Sequence, residues 1–212
     1  MTDYVTVPEQ QKRIDELKQR LGDEHPDTLA AMLDLAEMLW ARGRLAETRT
    51  LEEHVLAARQ KALGNEHPDT LKALGKLATT IGAEGDLAEA RRLQERIVEL
   101  GPAAWGETAR DTLRAVNNLA GTVAALGDAF AARAMLEGTI ATLTRVFGED
   151  DRDTLTATGN LAALLWQCGE RDEACDLQEY VTGALRRTCG RDDPATQAAE
   201  ATLTAMLNEG LF

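Results

Sequence analysis

Aromatic side chains are scarce in this 212-residue chain, at 4% of residues, and the strand formers Val and Ile are few beside abundant Ala, Leu, Glu and Arg. That balance excludes a sheet-based core and predicts an almost wholly helical protein. Long apolar runs are missing too: none approaches the roughly 20 residues that cross a bilayer. The start, MTDYVTVPEQQKR, has no apolar signal core. We therefore expect a soluble, cytoplasmic protein with no membrane partner. Positive charge is in deficit, with 23 Lys and Arg against 36 Asp and Glu and a net charge of −13. A phosphate backbone would be repelled by that field, so nucleic acid is not an expected partner. Only three cysteines occur, Cys168, Cys175 and Cys189. An odd number without a secretory signal argues for reduced thiols. Cys168 and Cys175 would need further Cys or His ligands to hold zinc, and the nearest histidine in sequence is His67, so no metal is expected. Nor does the chain contain a Gly-rich phosphate loop, an HExxH helix or a nucleophile elbow. The expectation is a non-enzyme with no cofactor.

What is present is repetition. LGDEHPDTLAAMLDLAEMLWARGRLAE from Leu21 returns as LGNEHPDTLKALGKLATTIGAEGDLAE from Leu63. An apolar residue followed by Gly recurs every 42 residues, at Gly22, Gly64, Gly106, Gly148 and Gly190. Thr28, Thr70, Thr112, Thr154 and Thr196 keep the same register, as do Leu35, Leu77, Leu119, Leu161 and Leu203. A fixed period of this length means a stacked array. Within the first unit, Leu29, Met32, Leu35, Ala36 and Leu39 form one face of a helix, A, with Pro26 in its first turn and Gly43 as its left-handed stop. Leu45, Thr48, Leu51, Val55 and Leu56 line a second helix, B. A single hairpin of this kind keeps an apolar face that only its neighbour can cover, which is why the unit repeats.

Residues 8–21 read as a lone N-terminal helix B, followed by repeats at 22–62, 63–104, 105–146 and 147–188 and a capping helix A in 189–212. That gives about ten helices in one solenoid. The apolar pair Leu211-Phe212 suggests an alternative role, self-association through the terminal helices into a homo-oligomer. His25 and His67 occupy equivalent turn positions and read as structural. Acid pairs such as Glu52-Glu53 read as solvated helix surface.

The LGxxHPDTL run, the NNLA from Asn117 to Ala120 and the Gly near the start of helix B resemble the tetratricopeptide repeat of the 42-residue, kinesin-light-chain type, over about residues 9 to 210. Repeats three and four depart from it, with Ala109-Arg110 and Asp151-Arg152 in place of His-Pro, which leaves their cap geometry open. The resemblance implies an all-α, right-handed superhelical solenoid of antiparallel hairpins. It also implies a scaffold or adaptor that binds a protein or extended peptide in a concave groove lined by helix A.

Carried onto this chain, that groove would contain Trp40, Lys72, Lys76, Arg114, Asn117, Asn118, Asn160 and Trp166. Lys72, Lys76 and Arg114 form a basic centre in an acidic chain, which either selects an acidic ligand segment or pairs with neighbours such as Glu37 and Glu84. The asparagines can donate to and accept from a peptide backbone. Trp40 and Trp166 are either ligand anchors or packing residues. Gly75, Gly82, Gly121 and Gly159 each cost a helix about 1 kcal/mol relative to Ala. Two readings stand for them: close approach of neighbouring helices, or a ligand lying on bare backbone.

Overall fold

The computed structural model describes residues 6–209, which form ten α-helices and no strand. They are α1 (Val7–Leu21), α2 (Pro26–Trp40), α3 (Leu45–Leu63), α4 (Pro68–Ala83), α5 (Leu87–Trp105), α6 (Arg110–Ala125), α7 (Ala129–Phe147), α8 (Arg152–Cys168), α9 (Arg171–Thr188) and α10 (Pro194–Glu209). Odd-numbered helices are the B helices of the repeat and even-numbered ones the A helices. Leu211 and Phe212, on which the self-association reading rested, lie outside the described residues. The chain divides into two compact units, Met1–Ala104 and Trp105–Phe212.

The turns are built the same way each time. Gly43 stands in the left-handed region at φ 71, donates its N–H to Trp40 O at 2.9 Å, and leaves the Arg44 N–H to reach Leu39 O at 3.0 Å. This pair of bonds is the Schellman closure, and Gly85, Gly127 and Gly169 repeat it in α4, α6 and α8. Only glycine takes that conformation without a Cβ penalty, so the sequence position of the stop is fixed. The turns ahead of the A helices use the recurrent threonine. The hydroxyls of Thr28, Thr112 and Thr154 donate to the carbonyls of Gly22, Gly106 and Gly148 at 2.7–2.8 Å, tying each first helical turn to the preceding loop.

The cap ahead of each A helix varies in chemistry while keeping its geometry. Nδ1 of His25 and of His67 accepts the N–H of Asp27 and of Asp69 at 3.2 and 3.1 Å, so both histidines are N-caps. Asp151 does the same for Asp153 at 3.0 Å, and Asp193 for Ala195 at 2.8 Å. Ala109 has no side chain to offer, and α6 begins uncapped by one.

In the first unit α1 packs on α2, α2 on α3 and α3 on α4, and α5 lies against α4 where Ile97 and Ala90 meet Gly75 and Gly82. In the second unit α6, α7, α8, α9 and α10 pack in sequence, with Leu155, Val181, Ala184, Leu185 and Ala199 forming a core between α8, α9 and α10. Leu71 and Leu155 are almost wholly buried, and truncating such a side chain to Ala costs about 2–5 kcal/mol. Polar groups fasten the B helices to the following A helix. Gln10 Nε2 donates to Ala31 O at 2.9 Å, and Gln178 Nε2 to Ala199 O at 3.1 Å.

Candidate functional site

Each A helix turns its apolar stripe inward, and that leaves the adjoining stripe in water. In α2 this outer stripe carries Glu37 and Trp40; in α4 Lys72, Lys76 and Thr79; in α6 Arg114, Asn118 and Gly121; in α8 Thr156 and Asn160. Side chains one repeat apart on these stripes meet. In the first unit Lys76 Nζ bonds Glu37 Oε1 at 2.5 Å. Trp40 is 47% exposed, while Lys72, one turn before Lys76, is exposed.

Beneath them, between α2, α3 and α4, lies a cavity of about 190 Å³ lined by Glu37, Trp40, Glu52, Lys76, Thr79 and Thr80. Glu52 corrects the reading of Glu52-Glu53 as a solvated pair. It is 5% exposed, on the inner face of α3, and its Oε2 is buried without a hydrogen-bond partner. Burial pushes its carboxyl above the usual range; contact with the Thr80 hydroxyl and the charge of Lys76 work the other way, and Glu37 adds to the rise.

The second unit pairs its polar groups more completely. Arg110 forks onto Asp151 through Nη1 and Nη2 at 2.8 and 2.7 Å and reaches Asp153 at 2.7 Å, where Arg114 Nε also binds at 2.7 Å. The Arg110 guanidinium holds the Asp151 carboxyl below the usual range and stacks 4.0 Å over the Phe147 ring. Asn160 Nδ2 donates to Asn117 Oδ1 at 3.1 Å; Asn117 is 8% exposed, whereas Asn118 is open to solvent. The Arg171 guanidinium lies 5.0 Å over the Trp166 ring, so this indole already has a cationic neighbour.

The structure thus brings Trp40, Lys72 and Lys76 to one face of the first unit, and Arg114, Asn117, Asn118 and Asn160 to α6 and α8 of the second. Lys76 and Arg114 are both ion-paired, so the neighbour-pairing alternative for the basic residues describes their resting state. The partner of Lys76 is Glu37, as the sequence suggested, whereas Glu84 pairs with Arg49 instead. The helical glycines do not mark tight packing. A Cβ at Gly75 or Gly82 would meet its nearest neighbour at 3.7 or 3.4 Å, one at Gly159 at 4.0 Å, and one at Gly121 nothing within 4 Å. Sequence reasoning missed Glu52. The signal was its register: 42 residues on either side of it stand Gln10 and Gln94, both buried.

A sequence profile of the tetratricopeptide repeat matches residues 27–103 and 111–187. The chain belongs to the tetratricopeptide repeat family. Members of this family are non-enzymatic scaffolds that mediate protein–protein interaction. Among solved structures, a Podosopora anserina kinesin light chain of nearly identical TPR-like repeats is 28% identical, with 86% of each chain covered and a TM-score of 0.69. BtubC (BKLC) from P. vanneervenii is 19% identical over 95% of this chain and 82% of its own, with a TM-score of 0.74. A Rap protein solved with Competence and Sporulation Factor is 10% identical over 95% of this chain and 59% of its own, with a TM-score of 0.70. The latter two show the fold alone. Among proteins of curated function there is no match. No helix among the described residues is long and apolar enough to cross a membrane.

Proposed function

We propose that this tetratricopeptide repeat chain is an adaptor that binds an extended segment of a partner protein along the outer stripes of its A helices. The observation that carries the reading is Trp40, a large indole left 47% exposed at the mouth of a cavity on such a stripe. An aromatic side chain so placed offers contact area at low cost in conformational freedom. Around it the stripes offer the donors and acceptors that a peptide backbone needs, with Asn118 open to solvent and Asn160 in reach of Asn117.

Acidic residues in the segment would bind at Lys72, Lys76 and Arg114. Arg114 meets Asp153 through Nε, and its side chain is 55% exposed, so its outer guanidinium edge can receive a ligand carboxylate without breaking that bond. At Lys76 a ligand carboxylate must compete with Glu37, which lowers the electrostatic gain there.

The test is affinity capture from native lysate, comparing the wild-type chain with a variant carrying Trp40→Ala, Arg114→Gln and Asn118→Ala. All three residues are exposed, so the helical circular dichroism should be unchanged. A partner retained by the wild type and weakened at least tenfold by the variant supports the reading. Equal retention by both moves the binding surface away from the A stripes.

A further inference from the structure

Four B-helix positions one repeat apart within α1, α3, α5 and α9 carry Gln10, Glu52, Gln94 and Gln178, and α7 carries Leu136 there. All five are buried. Where the glutamine's bond is seen, it is structural: Gln10 and Gln178 each donate an amide hydrogen to a carbonyl of the next A helix, at Ala31 and Ala199. An ionised glutamate can only accept, so at this position Glu52 gives up that bond and brings a charge under cover instead. One carboxyl oxygen, Oε2, then has no partner at all. A residue that breaks its own repeat's rule at a cost to the fold marks a place where the fold is not the reason for it.

The surroundings say what would meet the carboxylate. Glu52 lines the cavity together with Glu37, Lys76, Trp40, Thr79 and Thr80. Two carboxylates face one ammonium, which leaves one negative charge uncompensated. The exposed Trp40 ring at the rim offers a face to which a cation is attracted. The space amounts to several waters, at about 30 Å³ of liquid volume each, enough for the end of a long side chain and closed to a folded surface.

We propose that this cavity between α2, α3 and α4 is a specificity pocket for a basic side chain, lysine or arginine, of the bound partner segment, with Glu52 as its charge partner and Trp40 as its wall. The inference rests on the reading that extended segments bind the A stripes, and it adds a basic residue to the acidic ones that reading expects. Glu37 is held by Lys76 in the empty pocket and turns to share the incoming cation. Burial raises the carboxyl of Glu52 in the absence of ligand, and an arriving cation reverses that cost.

The experiment titrates the full chain with three heptapeptides of Ser and Ala that differ only in a central lysine, norleucine or glutamate, and follows heat and the Trp40 indole resonance. Glu52→Gln keeps the size of the side chain and installs the residue that the repeat uses elsewhere, so it folds. The lysine peptide is expected to bind at least tenfold more tightly than the norleucine peptide, to shift the Trp40 signal, and to lose that preference in Glu52→Gln. Equal binding of lysine and norleucine peptides, a lysine preference untouched by Glu52→Gln, or no binding of the lysine peptide overturns the pocket. Preference for the glutamate peptide also overturns it, while leaving acidic-segment binding at Lys76 standing; loss of lysate capture in the Trp40→Ala, Arg114→Gln, Asn118→Ala variant is scored separately.

Discussion

Glu52 and Asp151 are both poorly exposed carboxylates, and their surroundings move them in opposite directions. Burial raises Glu52 above its ordinary value of 4.5, so the folded state prefers its protonated form. Its contribution to stability is complete below about pH 4.5 and is lost as pH rises through the elevated folded value. Asp151 is lowered by the Arg110 hydrogen bonds, so its contribution is present above its ordinary 3.8 and lost as pH falls through the depressed value. Glu52→Gln removes the first effect only. Urea unfolding should therefore show the variant more stable than wild type at pH 7, with the gap narrowing steadily toward pH 4. A gap that is constant with pH would mean Glu52 carries no buried charge. Nothing in Glu52 read as a single residue distinguished it from the neighbouring Glu53, because only packing against α4 decides which of two adjacent acids on one helix is covered.

At the scale of the helix, the N-cap series His25, His67, Ala109, Asp151 and Asp193 is a substitution experiment laid out along the chain. Four of these side chains accept a backbone N–H from the first turn, and Ala109 leaves α6 without one. Ala109→Asp should add the missing bond and place a negative charge at the positive end of α6, raising stability by about 0.5–2 kcal/mol in a urea titration. No gain would mean that Arg110, engaged with Asp151 and Asp153, holds the turn in a conformation the new carboxylate cannot use. The positions of these helices, their caps at His25 and His67 and the glycines that stop α2, α4, α6 and α8 were legible in the sequence, since each depends on neighbours within one turn of chain. The substitute caps were legible only as a departure from HPDT. That Asp151 serves as cap and as Arg110 partner at once depends on α6 and α8 lying side by side.

For the molecule as a whole, the array is stable only where each hairpin finds a cover. In the second unit α10 supplies it: Ala199 closes the core made by Leu155, Val181, Ala184 and Leu185, and its carbonyl receives Gln178 and Thr182. Ending the chain before Pro194 uncovers Val181 and Leu185, each of which gains roughly 1.5–3 kcal/mol from full burial. The truncated protein should lose about 3 kcal/mol or more in urea, and its helical signal should fall by more than the share of α10 as α9 frays. A midpoint equal to wild type would mean α9 needs no cover and the array is less cooperative than its packing implies.

The sequence by itself determined the helices, their lengths, their turns and the family, because a 42-residue period, a 3.6-residue apolar pattern and glycines at fixed stops are local facts written in order along the chain. It also placed Trp40, Lys72, Lys76, Arg114 and the asparagines on solvent-facing stripes, since a stripe follows from helical geometry; Asn117 alone is buried among them. Tertiary structure decided who meets whom. Lys76 with Glu37, Arg114 with Asp153 and Asn117 with Asn160 are pairs one repeat apart, and Glu52 faces a cavity made by three helices. Charge and hydrogen bonding act over a few ångströms in space, and those distances exist only once the hairpins have stacked.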